Sequence, residues 1–206
     1  ILDPLEIIKK YGIDQLRYYL IKEVSLGNDG NISLENLKNC INNDLANNYG
    51  NLCQRVFSFI NKNCNNKIPK PDKLTTIDNQ LLNNLKKQLP ILIEDINNQE
   101  LNSYLKKIIN FSFEANKYFN DLQPWSLKKT DISRMNTILF TIVEQIRNIS
   151  ILLNPIIPIA TKKILDSMNL DLSNRSLKSI VKNDVLDHDK EILKAGILFS
   201  KVEDDN

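Results

Sequence analysis

"SLENLKNCINNDLANNYGNLCQRVFSFINKN", Ser33 to Asn63, is the stretch that decides the fold class. Leu34, Leu37, Ile41, Leu45, Leu52, Val56 and Phe59 recur there every three or four residues. That is the period of an α-helix with one apolar face, and it is incompatible with the alternation of a half-buried strand. Ser33 stands where its hydroxyl can cap the first turn. Gly50 lies inside this helix, where glycine costs roughly 1 kcal/mol against alanine. Its presence predicts a close neighbour or a kink.

The same period extends outward in both directions. "DPLEIIKKYG" reads as a short helix with Asp3 as cap, Pro4 in the first turn and Gly12 as the stop. A second helix, "DQLRYYLIKEV", starts at Asp14, and "SLGNDGN" follows as a loop. After the polar, proline-marked connection "NKNCNNKIPKPDK", helices are expected over about 79–97, 100–122, 133–153 and 158–168. From Leu170 onward the pattern weakens to an irregular tail with a short helical turn or strand. The expectation is an all-α helical bundle with no internal repeat.

Composition narrows the function classes. The chain of 206 residues is 42% hydrophobic and 25% charged, as expected of a soluble domain with a real core. A net charge of +2 means that any polyanion site is a local patch and not a global field. Cys40, Cys53 and Cys64 are odd in number and lack Cys-x-x-Cys spacing, which argues against a disulfide framework or zinc site and for a reducing cytoplasm. The apolar run "ISILLNPIIPIA" is too short and too broken by proline to span a bilayer, and no signal peptide is visible. The chain opens on Ile1, so a longer parent is expected. Gly27 and Gly30 fit no phosphate-loop spacing. The single histidine, His188, reads as a solvated tail residue, so no catalytic set is expected and no metal.

Two polar features remain. Asp44, Asn48, Asn51, Arg55, Ser58 and Lys62 recur at helical spacing as a stripe beside the apolar one. Asn51 and Arg55 are one turn apart, and an amide with a guanidinium fork can grip a base edge. Spacing alone fits an ordinary solvated helix face as well. In "NDLQPWSLKK", Asn120 to Lys129, Pro124 ends a helix and biases Gln123 toward an extended backbone. The only tryptophan, Trp125, then sits at a corner, either tucked into the bundle edge or presented for stacking. Lys128 and Lys129 stand close enough to meet phosphates.

At these residues the chain resembles the methionyl-tRNA synthetase family, in its C-terminal half. Four blocks carry the resemblance: "DPLEIIKKYGIDQLRYYLIKEVSLGNDGNIS", "NNDLANNYGNLCQR", "EANKYFNDLQPWSLKK" and "LNPIIPIATKKIL". The first is shared with valyl, leucyl and isoleucyl relatives; the second, with the Pro-Trp pair, is narrower. The resemblance implies a segment contacting the tRNA stem over residues 1–32 and an anticodon-binding helical bundle over 33–206. It implies anticodon contacts at Asn51, Arg55, Pro124 and Trp125, with the indole stacked on the first base of a CAU anticodon. Lys62, Lys128 and Lys129 are candidate phosphate contacts, and tail residue Arg175 is expected to lie apart from the site. The implied partner is tRNA(Met), and the parent is a methionine–tRNA ligase that uses ATP. The ATP site and any zinc belong to a catalytic half absent from this chain, so no cofactor is expected here. No dimerisation module follows Asn206, so a monomeric cytoplasmic parent is expected. The rival readings are an anticodon domain of a valyl or isoleucyl type and a non-enzymatic helical scaffold that binds proteins.

Overall fold

A computed structural model describes residues 3–25, 27, 30, 32–182 and 185–203. Most of the loop expected over 25–31 lies outside them. The described residues form helices α1 (Pro4–Tyr11), α2 (Ile13–Glu23), α3 (Leu34–Cys40), α4 (Asn51–Asn63), α5 (Thr76–Asn97), α6 (Leu101–Leu122), α7 (Ile132–Leu153), α8 (Pro158–Ser167) and the short α9 (Leu177–Ile180). Two 3-10 turns, Pro124–Leu127 and Leu172–Asn174, complete the order. Among the described residues the only strand-like pairing is a single antiparallel bridge between Lys67 and Glu191. The bundle is all-α, as its spacing requires.

Helix ends follow their chemistry. The Asp3 carboxylate accepts from the Leu5 amide, and Ser33 Oγ accepts from Asn36. Thr75 and Asp78 form a reciprocal capping box, which starts α5 three residues earlier than its apolar pattern suggests.

Helix α7 is the axis of the fold. Nearly every residue from Thr137 to Leu153 is buried, and at 22 residues the helix is roughly 33 Å long. It packs against α4, α5, α6 and α8. Ile7, Leu16, Tyr18 and Tyr19 of the first two helices join the same core.

The stretch 33–63 departs from one uniform helix. Ile41–Gly50 is π-helical, between α3 and α4, and the Asn51 amide donates to the Ala46 carbonyl five residues back. A turn with i→i+5 bonds holds an extra residue, so side chains on either side lose their α-helical phase. Gly50 closes this segment. A Cβ there would sit 2.9 Å from the Leu45 carbonyl oxygen and 3.4 Å from Phe199 Cδ2. The expected close neighbour is present, and the segment around the glycine is π-helical. Gly50→Ala is therefore expected to lower stability by about 1–3 kcal/mol through overpacking, where helix propensity alone would raise it by about 1 kcal/mol. Urea unfolding of the two proteins checks the sign.

The tail is irregular, as expected, but it is tightly packed. Leu186, Ile192 and Phe199 are buried, and Val202 exchanges two hydrogen bonds with Asn42, at 2.9 and 2.8 Å. His188 corrects the reading of a solvated residue. It is half-buried, its Nδ1 lies 3.1 Å from the Ile68 carbonyl oxygen, and its ring lies 5.6 Å from that of Phe140. It ties the tail to the loop before α5. No described helix is long and apolar enough to cross a membrane.

Candidate nucleic-acid interface

The predicted polar stripe is divided by the π-helical segment. Its first two members face inward. The Asp44 carboxylate accepts from Tyr18 Oη at 2.9 Å and from Lys22 Nζ at 2.7 Å. The Asn48 side chain accepts from Asn116 Nδ2 at 2.8 Å. One continuous solvent-facing stripe is thus corrected: Asp44 and Asn48 are buried fasteners. The remaining members lie on α4 in uninterrupted α-helical phase. Asn51 and Arg55 are half-buried there, and Ser58 and Lys62 are exposed.

The corner bearing Trp125 is made by a left-handed residue. Gln123 has φ 43° and ψ 60°, not the extended backbone its proline neighbour favours. The conformation is held from both sides. The Gln123 amide donates to Phe119 O at 3.2 Å, and Gln123 O accepts from the Ser126 amide at 2.9 Å and hydroxyl at 2.8 Å. The chain reverses, Pro124 is buried, and Trp125 projects with 39% of its surface exposed.

Arg55 and Trp125 meet at this corner. The guanidinium carbon lies 5.8 Å from the indole centroid and 5.2 Å from that of Phe119. Phe119 and Trp125 pack edge to face at 5.5 Å and 72°. Arg55 Nη2 donates to Asn120 Oδ1 at 2.8 Å, and the guanidinium carries further N–H donors. The result is a cationic fork held over a partly exposed indole. Lys128 Nζ stands 6.0 Å from the Phe59 centroid beside it, and Lys129 is exposed on the same turn.

Periodicity did not mark Phe119 and Asn120 as parts of this corner. The available signal was the pair Asn116 and Asn120, one turn apart on α6: the first binds Asn48 of the π-helical segment, the second Arg55 of α4.

The other arginines of this lysine-rich chain are also used as forks. Arg17 donates to the Ile156 and Pro155 carbonyls at 2.8 and 2.6 Å. Arg134 grips Asp78 with two bonds, and Arg147 grips Glu144 likewise. Arg175 binds Asp166 and the Leu170 carbonyl. Arg175 is thus a structural anchor of the tail and not an idle surface residue. Arg55 is the fork set beside an exposed ring, consistent with the planar geometry of guanidinium.

A buried carboxylate pins the corner. Asp78 is fully buried and accepts from Tyr118 Oη at 2.6 Å, Arg134 at 2.6 and 2.8 Å, and the Thr75 amide at 2.8 Å. Tyr118 and Arg134 bracket Trp125 in sequence, so one carboxylate fastens α5 to both sides of the turn. Burial by itself would raise the Asp78 pKa, but the bonds from Arg134, Tyr118 and Thr75 outweigh it and hold the carboxyl below its usual range.

At the far end of α7, Asp14 accepts from the Ala160 amide at 2.8 Å while Arg17 takes the carbonyls just described. Helix α2 thereby binds two carbonyls of the α7–α8 turn and an orphan amide in the first turn of α8.

Residues 68–206 match the anticodon binding domain of methionyl tRNA ligase, and residues 1–57 match tRNA synthetases class I (M). A methionine–tRNA ligase of Brucella suis biovar 1 is 38% identical over 181 residues, which cover 88% of this chain and 35% of that protein. One from Rickettsia felis is 37% identical over 209 residues, covering 99% and 40%. The free-state crystal structure of Mycobacterium tuberculosis methionyl-tRNA synthetase superposes with a TM-score of 0.92 at 31% identity, over 99% of this chain and 42% of that one. The chain spans about two fifths of the length of these relatives. With most of its length matched by the anticodon-domain model and nearly all of it superposed on a solved relative, the chain belongs to the methionyl-tRNA synthetase family.

Proposed function

We propose that the α4–α6 corner reads the CAU anticodon of tRNA(Met), in a methionine–tRNA ligase that loads methionine using ATP. The observation carrying this reading is the partly exposed Trp125 ring with the Arg55 guanidinium over it, 5.8 Å from its centroid. Single-stranded anticodon bases can be splayed out and offer both a face and an edge. Trp125 takes the face of the first base. Asn51 and Arg55 take its edge, Arg55 exchanging its bond to Asn120 for bonds to the base. Pro124 sets the height of the ring. Lys62, Lys128 and Lys129 contact phosphates, which set register and not sequence.

Residues 1–32 contact the tRNA stem, with α2 fastened to the bundle by Asp14 and Arg17 at the α7–α8 junction. Among the described residues no group of three or more His, Cys, Asp or Glu could hold a metal ion.

With one tryptophan, intrinsic fluorescence tests the reading. A CAU stem-loop is expected to quench Trp125 emission, and an unrelated loop to quench far less. Trp125→Ala is expected to weaken binding, followed with labelled RNA, by about 1–3 kcal/mol. Lys178→Ala, on the exposed tail helix, serves as control, because Arg175→Ala would disturb the fold. Equal quenching by both loops overturns selectivity, and absent quenching overturns stacking.

A further inference from the structure

The ring and the fork of the reading corner sit on different elements. Trp125 follows the end of α6, whereas Asn51 and Arg55 lie in the first turns of α4. Buried apolar residues line both sides, among them Leu45 and Leu52 on one and Leu105 and Ile108 on the other, and all belong to one core. Apolar burial is non-directional. A core filled by such residues alone holds its helices together before it holds them in one unique arrangement.

One buried polar pair supplies direction. Asn48, at the end of the π-helical segment, is 1% exposed. Its Oδ1 accepts from Asn116 Nδ2 of α6 at 2.8 Å, and its own Nδ2 donates to the Ile109 carbonyl of α6 at 3.4 Å. Asn116 Nδ2 also reaches the Asn48 carbonyl at 3.2 Å and is tied to its own helix by the Ser112 carbonyl at 3.1 Å. That same Asn48 carbonyl accepts from the Asn51 amide. One carbonyl is therefore shared between α6 and the first residue of α4, itself a proposed base reader. One turn further along α6, Asn120 accepts from Arg55.

Sliding or rotating α6 against this segment would leave the Asn48 amide buried and unpaired, which is costly. Two apolar side chains would pack the same place without that constraint. A buried polar group that admits a single register is a known device of paired helices.

We infer that Asn48 and Asn116 are positioning residues for base recognition: their buried pairing fixes the register of α6 against the start of α4, and so where Asn51 and Arg55 stand relative to Trp125. Neither side chain touches the RNA. This rests on the anticodon reading above.

The first test is the double variant Asn48→Leu with Asn116→Leu, which removes both partners and strands neither. Its urea midpoint is expected to stay near that of the wild-type chain. Its preference for a CAU stem-loop over an unrelated loop, followed with labelled RNA, is expected to fall several-fold. The second test separates positioning from general loosening of the bundle. Asn116→Ala, at a half-buried position, is expected to weaken CAU-loop binding several-fold in the wild-type chain and far less in a chain carrying Asn51→Ala and Arg55→Ala, where no reader is left to place. An equal loss in both backgrounds overturns the positioning role, even where the leucine pair fails to fold. A wild-type preference untouched by these variants overturns it too, and leaves the anticodon reading standing. A wild-type chain that binds both loops equally overturns the anticodon reading, and the positioning role with it.

Discussion

Replacing Arg147 by alanine is expected to remove about 3–5 kcal/mol of stability, the range for breaking a buried ion pair by deleting one partner. The guanidinium is fully buried. It donates to both oxygens of Glu144, at 3.0 and 2.6 Å, to Ser179 O at 3.1 Å and Oγ at 3.2 Å, and to Asn174 O at 3.3 Å. One side chain thus neutralises a buried carboxylate on α7 and fastens the tail turn that carries α9. Alanine leaves Glu144 charged and unpaired in the interior, with two tail carbonyls losing a donor. A domain of ordinary stability has only about 5–15 kcal/mol to lose, so this single change brings the chain close to unfolding at physiological temperature. Urea denaturation followed by circular dichroism measures it. The double change Arg147→Met with Glu144→Leu should recover most of the loss, since apolar replacement of a buried pair is often near neutral. A single variant within 1 kcal/mol of wild type would show that the pair is not what seats the tail.

Asp78→Asn is expected to cost about 3 kcal/mol at neutral pH, at the low end of the same range because Arg134 keeps some access to water. It should also flatten the response of stability to acid. The folded pKa of Asp78 lies below that of the unfolded chain, near 3.9 for an aspartate, so the folded state favours the carboxylate. The contribution is fully present above the unfolded pKa and is lost as pH falls from about 4 through the folded value. Asp166, paired with Lys162 and Arg175, shifts in the same direction, but it is exposed and contributes less. Urea midpoints between pH 7 and pH 2.5 should therefore fall more steeply for wild type than for Asp78→Asn. Parallel curves would remove Asp78 as the source. Because Asp78 joins α5 to Tyr118 and Arg134 on either side of the tryptophan turn, the variant should also bind the CAU loop less tightly at neutral pH.

Much of this molecule is legible before any coordinates. The apolar positions of α4, α6 and α7 recur at helical spacing because each helix must bury one face, and period therefore reports element type. Pro4, Gly12 and Ser33 mark helix ends through requirements that are local in the chain. Trp125 at a corner followed from Pro124, which cannot continue a helix.

The misreadings share a cause. Asp44 and Asn48 looked like outward neighbours of Asn51 and Arg55 because the phase was carried at 3.6 residues per turn through a segment that is π-helical. The i→i+5 bonds that widen it depend on room around Gly50, which Phe199 shapes from 149 residues further along. The close packing of the irregular tail was not legible because its apolar residues have no period. Leu186, Ile192 and Phe199 are each buried in the common core, a placement that leaves no local pattern.

Local chemistry along the chain determined the helices, their caps, the proline corner and the residues able to grip a nucleotide. Those depend on backbone sterics and spacing within a few turns, and both are written in consecutive residues. Tertiary structure alone decided which polar residues face water, where Arg147 finds its five acceptors, and that Phe199 of the tail comes to lie beside Gly50. Those outcomes arise from pairings across the whole chain, where burial turns an unpaired polar group from harmless to costly.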